Sequence, residues 1–405
     1  MSRPFFSVLI CTIGKADLTR GAIDSILNQD FEDFEIIVTD TSGTVDIKNI
    51  VSAFNNPRIK FFNVPDNDPT ISWEFAYEQS EGSCVLWYDD DNRLVPWALE
   101  HYAALIKKEG ADIVSGNHAY YFGTGNRHKP EEDNTLRALF PFSCRATVYE
   151  RDFLLRMVYA FSMGAATMPR WHSAATFVSR EICEKARAAV GYVIAPHMYG
   201  NFTFHPIIFS FAEKPLYDDR PLCIIGKFAS SITQQWSNSF VKVKRSTAVP
   251  FKFTGVSQRT LGNTTAECYL RVRHDIPSHE EYPFNWEQVY SRYSSELLLL
   301  NIPILPLMRA WAELWSGSQR LGVEARRRVR VRIMKQSLQS VLLHILRTLG
   351  LWEFVRQRAQ NLIHENPKRK MVSLSRYNIY SIDDCAKRLD EIFREEWNLA
   401  IKPSD

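Results

Sequence analysis

Val85-Leu86-Trp87-Tyr88-Asp89-Asp90-Asp91-Asn92 runs four apolar or aromatic residues straight into three carboxylates. Adjacent carboxylates repel one another and raise each other's pKa unless a positive charge cancels them. Two local readings compete. One is a solvated turn whose aspartates cap a helix beginning near Pro96. The other is a divalent cation, which takes hard carboxylate oxygens at the end of a rigid strand.

The flanking pattern decides between them. Residues 5–11 (FFSVLIC) are a near-continuous apolar run, as expected of a strand buried on both faces. A short polar loop, TIGK, follows, then a helix with Asp17 at its N-cap position and Leu18, Ala22, Ile23, Ile26 and Leu27 on one face. Residues 34–40 (FEIIVTD) read as a second strand ending on a carboxylate, 45–54 as a helix and 59–64 as a third strand. Pro69 suits the first turn of a helix running to about Glu81, and 83–88 form the fourth strand. This alternation predicts right-handed crossovers and a mainly parallel sheet. Ligands of such sheets bind at the carboxyl ends of the strands. Thr12, Asp40 and Asp89 to Asp91 all fall there, which favours the cation over the solvated turn.

Beyond residue 110 the alternation loosens. Strands are expected at 111–122, 172–178 and 221–226, helices from Ser179 and over 201–211, and a short strand at 268–272. From Asn285 the pattern is helical, and Met334, Leu338, Val341, Leu342, Ile345 and Leu349 form a stripe of period 3.6.

The chain has 405 residues, enough for two or three domains at about 150 residues each. Lys and Arg number 49 against 46 Asp and Glu, a balance that argues against nucleic-acid binding. The 7 cysteines are scattered and contain no CxxC pair, which suits a reducing, cytoplasmic compartment and excludes a zinc or disulfide framework. The apolar runs at 5–11 and 297–308 are too short or too interrupted for a signal sequence or a membrane span. Arg320, Arg326, Arg327, Arg328, Arg330, Arg332 and Lys335 crowd one segment beside the apolar stripe, and Lys368, Arg369 and Lys370 follow. Such a segment can lie on an anionic membrane surface; the plainer expectation is a stripe buried against the N-terminal domain.

The first ninety-nine residues resemble the family-2 glycosyltransferases of the GT-A fold. SVLICT, the Ser25 and Gln29 pair in IDSILNQDFEDFEIIVTD, TDTSGT and SEGSCVLWYDDDNRLVPWAL match the family's pieces in order. Pro96 and Leu99 place its Asp-x-Asp pair on Asp89 and Asp91. The resemblance implies a GT-A, Rossmann-like α/β catalytic domain over 1–240. An irregular connector over 241–284 and a basic α-helical region over 285–405 complete the expected organisation. It implies an inverting, hexosyltransferase-type enzyme that moves a sugar from a nucleotide-diphosphate donor, UDP first, to a glycan or lipid-linked acceptor. Peripheral association with the inner face of the membrane would accompany a lipid-linked acceptor. Mn2+ or Mg2+ would be held by Asp91 directly and by Asp89 less directly, with Asp89 nearer the ribose. Asp40 would accept a hydrogen bond from the base, and Thr12 would touch the nucleotide. Asp90, of opposite strand parity, receives no ligand role.

The departures are specific. Trp73 and Glu74 stand where the family often has Arg-Asn, and Trp73 is expected to pack. The segment that should carry the catalytic carboxylate reads HMYGNFTFHPII, which leaves His205 and His197 as candidate bases. His172 and the Asp218-Asp219 pair are reserves. A missing base also admits a non-catalytic nucleotide- or glycan-binding module. A nucleotidyltransferase of similar fold is a further alternative.

Overall fold

The structure is a computed structural model and describes residues 3–64, 66, 68–124, 132–138, 142–162, 169–228, 251–299, 303–351 and 371–403. The N-terminal half alternates as expected: β1 (Phe6–Thr12), α1 (Ala16–Leu27), β2 (Phe34–Asp40), α2 (Val45–Ala53), β3 (Ile59–Asn63), α3 (Pro69–Glu78) and β4 (Cys84–Asp89). β1 pairs in parallel with β2 and β4, and β2 with β3, giving the spatial order β3-β2-β1-β4. The apolar runs are continuous because both faces are covered. Val8 and Ile10 enter one core, Leu9, Val85 and Trp87 the other. Lys15, not Asp17, stands at the N-cap of α1, without a side-chain bond; Asp17 lies in its first turn.

The second half continues with β5 (Asn92–Leu94), α4 (Ala98–Glu109), β6 (Ile113–Phe122), β7 (Thr135–Arg137), β8 (Ala146–Val148), α5 (Arg151–Tyr159), β9 (Thr176–Ser179), α6 (Arg180–Val190), α7 (Gly200–Phe211) and β10 (Pro215–Lys227). β9 inserts antiparallel between β4 and β6, and β10 runs parallel to β6 and antiparallel to β5. The result is a mixed α/β sheet flanked by helices. The helix after the acidic run begins at Ala98 behind Trp97, so none of the three aspartates caps it.

The expected strand at 268–272 is instead part of α8 (Leu261–Asp275), whose N-terminus is capped by Thr260 accepting from the Asn263 amide. Ala266, Cys268, Tyr269 and Val272 are buried on this helix, a spacing that also admits a short strand when read over five residues. Three helices follow, α9 (Trp286–Leu299), α10 (Ile304–Gly317) and α11 (Val323–Thr348), around Tyr290, Tyr293, Leu297, Leu307, Trp311, Leu314, Val329 and Ile333. The stripe expected to be buried is exposed: Leu338 is 73% and Leu349 64% accessible, and α11 packs through Val329 and Ile333 instead.

The expected C-terminal helical region does not remain separate. β11 (Met371–Ser373) extends the sheet antiparallel to β7. α12 (Ile382–Lys387) and α13 (Leu389–Trp397) bury Cys385, Leu389, Ile392 and Phe393 in the core that β1 shares. The cluster Lys368 to Lys370 lies outside the described residues. All seven cysteines are free. Among the described residues no helix is long and apolar enough to cross a membrane.

Candidate active site

Parallel register aligns the ends of three strands. Thr12 stands beside Asp40, and Cys11 beside Asp89. The acidic turn therefore rises from the carboxyl edge of the sheet. Asp89 keeps the strand parity of Trp87, whereas Asp90 turns back into the loop after β1. There the Asp90 carboxylate accepts from Thr12 Oγ1 at 2.8 Å and meets Lys15 Nζ at 3.4 Å. Thr12 Oγ1 also accepts from Thr19 Oγ1 at 2.9 Å, so its hydroxyl is engaged within the protein. Burial opposes the charge of Lys15, but Asp90, Asp91 and Asp89 outweigh it and hold the ammonium above its usual range. Burial and repulsion from Asp91 and Asp90 raise Asp89 above the ordinary carboxylate range, with Lys15 and Lys227 only partly compensating. Burial likewise raises Asp90, against the pull of Lys15 and Thr12.

β10 closes the turn from the other side. The Gly226 amide donates to the Asp91 carbonyl at 3.0 Å. A Cβ on Gly226 would come within 2.2 Å of that oxygen, so this approach requires glycine. Lys227 follows, a cation attracted by both Asp91 and Asp89. The buried Arg93 holds the turn from behind, donating to the carbonyls of Asp90 at 3.1 Å and Asn92 at 2.7 Å.

Asp40 is fully buried and accepts from the Ser42 amide at 3.0 Å and the Ser42 hydroxyl at 2.7 Å. In this state its carboxylate shapes the TSGT turn. Trp73 is buried against Gly200, as packing predicted. Glu74 accepts from the Val193 and Ile194 amides at 2.8 and 2.6 Å, and burial pushes it up to about 7.

Next to the acidic turn lies a cavity of about 330 Å³, lined by Lys227, His118, Trp171, His172, Asn201 and His205 among others. His205 falls on the helix expected over 201–211. It sits inside α7, 7% exposed, with Nε2 unpartnered among the described residues. Burial pushes it down to about 3, against the Asn201 backbone contact, so the ring is neutral through the physiological range. The acid limb near pH 6.5 expected of an unperturbed base therefore does not belong to His205. His197 is outside the cavity lining. Its ring meets Asp68 at 2.7 Å, and its amide donates to Thr70 Oγ1 at 3.0 Å, which fixes it at φ 60. Of the reserves, His172 lines the cavity, while Asp218 is locked to Arg220 and His101 and Asp219 to Ser143.

The acidic turn fits a divalent ion. Among the described residues no group of three or more His, Cys, Asp or Glu side chains could hold a metal alone. Two carboxylates set in mutual repulsion suit Mg2+ or Mn2+, which keep most coordination positions for phosphate and water. Sequence reasoning passed over Lys15, Lys227, His118 and Arg170. The lysine of TIGK was a visible signal; His118 and Lys227 become neighbours only through the register of β6 and β10, and Arg170 joins them from the residues before β9.

Residues 7–164 match the family model described as glycosyl transferase family 2. The GalNAc(5)-diNAcBac-PP-undecaprenol beta-1,3-glucosyltransferase of Campylobacter jejuni is 36% identical over 120 residues, 28% of this chain and 38% of that protein. A PGL/p-HBAD biosynthesis glycosyltransferase of Mycobacterium bovis is 29% identical over 122 residues, 29% of this chain and 48% of its own length. The chain thus spans less than half of either relative. Among solved structures, S. aureus TarS in complex with UDP-GlcNAc superposes with a TM-score of 0.54 at 16% identity, over 85% of this chain and 92% of that one. That likeness is one of fold. The N-terminal part of this chain is thus similar to glycosyl transferase family 2, and its mixed α/β fold is similar to that of the GT-A-like TarS.

Proposed function

We propose that the chain is a metal-dependent, inverting glycosyltransferase using a nucleotide-diphosphate sugar, UDP-linked first, and a glycan or lipid-linked acceptor in surface polysaccharide or glycoconjugate synthesis. The observation that carries this reading is the acidic turn of Asp89 to Asp91 at the strand ends, joined by Lys227 to a cavity large enough for a sugar. Asp91 and Asp89 would hold Mg2+ or Mn2+, which when bound neutralises charge on the departing diphosphate. Asp40 and Thr12 belong to the nucleotide side in this reading. The acceptor enters the cavity beside Lys227. Its hydroxyl oxygen bonds to the anomeric carbon, the bond from that carbon to the diphosphate oxygen breaks, and His205 Nε2 takes the proton. The C. jejuni relative, named for an undecaprenol-linked substrate, supports a lipid-linked acceptor. The exposed stripe and arginines of α11 support peripheral attachment at an anionic, cytoplasmic membrane face.

The test is release of free nucleoside diphosphate from UDP- and GDP-sugars with Mn2+, compared with EDTA. Release that is metal-dependent and lost in Asp91→Ala supports the transferase. Tight UDP binding without transfer or donor hydrolysis favours a non-catalytic binding module. That second reading draws on one observation: no carboxylate lines the cavity among the described residues. Pyrophosphate release from a nucleoside triphosphate would instead identify a nucleotidyltransferase.

A further inference from the structure

Helix α3 reaches both halves of the candidate site. Its N-terminal side is tied to the carboxyl edge of β2. The Ser72 hydroxyl donates to Thr39 Oγ1 at 2.8 Å, and the Val64 amide, ahead of the helix, donates to the Asp40 carbonyl at 2.9 Å. Its other contacts run to the loop 191–199, which leads into α7. One oxygen of Glu74, Oε1, accepts from both the Val193 and the Ile194 amides. Thr70 Oγ1 accepts from the His197 amide and Asp68 meets the His197 ring, so the loop is held at two places. Trp73 packs on Gly200, the first residue of α7, where a Cβ would come within 2.7 Å of its ring.

This loop carries one wall of the cavity. Tyr199, Asn201, Phe202 and His205 line it from the end of the loop and the first turns of α7. The Ala195 amide donates to Thr203 Oγ1 at 3.3 Å, and Asn201 contacts His205 through its backbone, which links the clamped amides to the ring placed as base. Val193 and Ile194 are fully buried, so their amides have no solvent to turn to if Glu74 is removed. Leaving a buried donor unmet costs more than the bond itself contributes, so the loop would shift to find new partners and take α7 with it. Burial raises Glu74 to about 7, against the pull of the two amides, so near neutral pH part of the population carries a proton. Because both amides share Oε1, a proton on Oε2 leaves the clamp in place. The loop requires the acceptor oxygen rather than the charge.

We propose that Glu74 is a positioning residue of the transfer reaction: it holds the backbone of Val193 and Ile194 so that the loop and α7 present the cavity wall and His205 to the reacting groups. It touches no substrate and acts through those residues. The proposal rests on the transferase reading for the reaction it serves; the clamp on the loop does not.

The experiment compares Glu74→Gln, which keeps an acceptor oxygen, with Glu74→Met, which fills the space without one. The probe is a panel of UDP- and GDP-sugars with Mn2+ and water as acceptor, read as released nucleoside diphosphate. Glu74→Met should lower kcat by roughly ten- to a hundredfold, the cost of a small misplacement of a reacting group, with KM for the sugar nucleotide within about twofold of wild type. Glu74→Gln should retain most of the activity. Thr70→Val, which removes the acceptor of the His197 amide, should act in the same direction as Glu74→Met. Hydrogen–deuterium exchange over 191–205 reads the clamp without any reaction, and should be faster in Glu74→Met and close to wild type in Glu74→Gln. Equal loss in the two Glu74 variants, a rise in KM that matches the fall in kcat, wild-type kcat in Glu74→Met, or exchange unchanged by Glu74→Met overturns the proposal. Faster exchange in Glu74→Met with no release by the wild type from any donor would sink the transferase reading, and the positioning role with it, and leave only the clamp standing.

Discussion

The guanidinium of Arg93, 1% exposed and two residues beyond the acidic turn, is held by Asp383 at 2.5 Å from a helix 290 positions later. The same guanidinium braces the Asp90 carbonyl, so the C-terminal segment supports the turn from behind. A Cβ on Gly21 would overlap Arg93 Nη2, which explains glycine in the middle of α1. Asp383→Ala should cost about 1.5–3 kcal/mol in urea denaturation, the range for a hydrogen bond to a charged group. Asp383 is half-exposed, which favours the lower end. Removing residues 371–405 should prevent the first domain from folding cooperatively. A truncated chain with a wild-type unfolding transition would contradict this.

Metal-free stability should fall as pH rises. Asp89 is raised in the folded state, so the folded chain keeps a proton that the unfolded chain releases. Stability then declines from about pH 4, the unfolded carboxyl value, upward through the raised folded value. Asp89→Asn removes this contribution. Between pH 5 and 7.5 without metal, the wild type should lose melting temperature relative to Asp89→Asn, and Mn2+ with UDP should close the gap. Parallel curves for the two proteins would refute the repulsion. Glu74, also raised, cancels in the comparison.

Asp91→Ala and Asp89→Ala should each lower transfer by orders of magnitude with the fold retained. Strand parity alone suggests a small effect at Asp90. The bonds from Thr12 and Lys15 instead make Asp90→Ala disruptive to the loop after β1. We expect it to weaken UDP binding by about tenfold or more, the equivalent of one lost charged hydrogen bond. Calorimetry with UDP and Mn2+ decides between the two expectations.

Asp40→Ala should weaken UDP by roughly ten- to a hundredfold if its carboxylate accepts from the base. Ser42→Ala separates that role from the turn seen in the structure. If the turn alone matters, the two substitutions weaken UDP equally. If the base contact matters, Asp40→Ala costs clearly more.

His205→Gln should lower kcat with donor affinity nearly unchanged. With the free-protein value near 3, the wild type should show no acid limb from this group between pH 5.5 and 7.5. A limb near 6.5 that persists in His205→Gln assigns it elsewhere. His197→Gln then tests the remaining histidine of that segment.

Leu338→Glu combined with Leu342→Glu puts two charges on the exposed face of α11. Each buried leucine contributes about 1.5–3 kcal/mol, so vesicle partitioning should drop by tenfold or more. The wild type should float with phosphatidylglycerol-rich vesicles and not with phosphatidylcholine alone. Flotation unchanged by the double substitution would remove the membrane role. A shift from dimer to monomer would assign the face to a second copy of the chain.

The sequence alone determined the parallel half of the sheet, because strands buried on both faces must be continuously apolar and their crossovers leave helical periodicity. It also placed three carboxylates at the end of a core strand, on the carboxyl edge of the sheet. Tertiary structure decided the rest. Local pattern cannot reveal that β11, α12 and α13 return to the first core, because their apolar residues would suit any partner surface. Nor can it tell that the stripe of α11 faces outward: the helix carries apolar residues on two faces, and only the packing of Val329 and Ile333 shows which is used. His118, Arg170, Trp171, Lys227 and His205 come from distant segments and share one cavity only through tertiary packing: β10 pairs with β6 and brings Lys227 beside the strand of His118, while α7 and the residues before β9 supply the rest. Such pairings are set by long-range register, and the energy that selects a register resides in contacts between strands, not within any one of them.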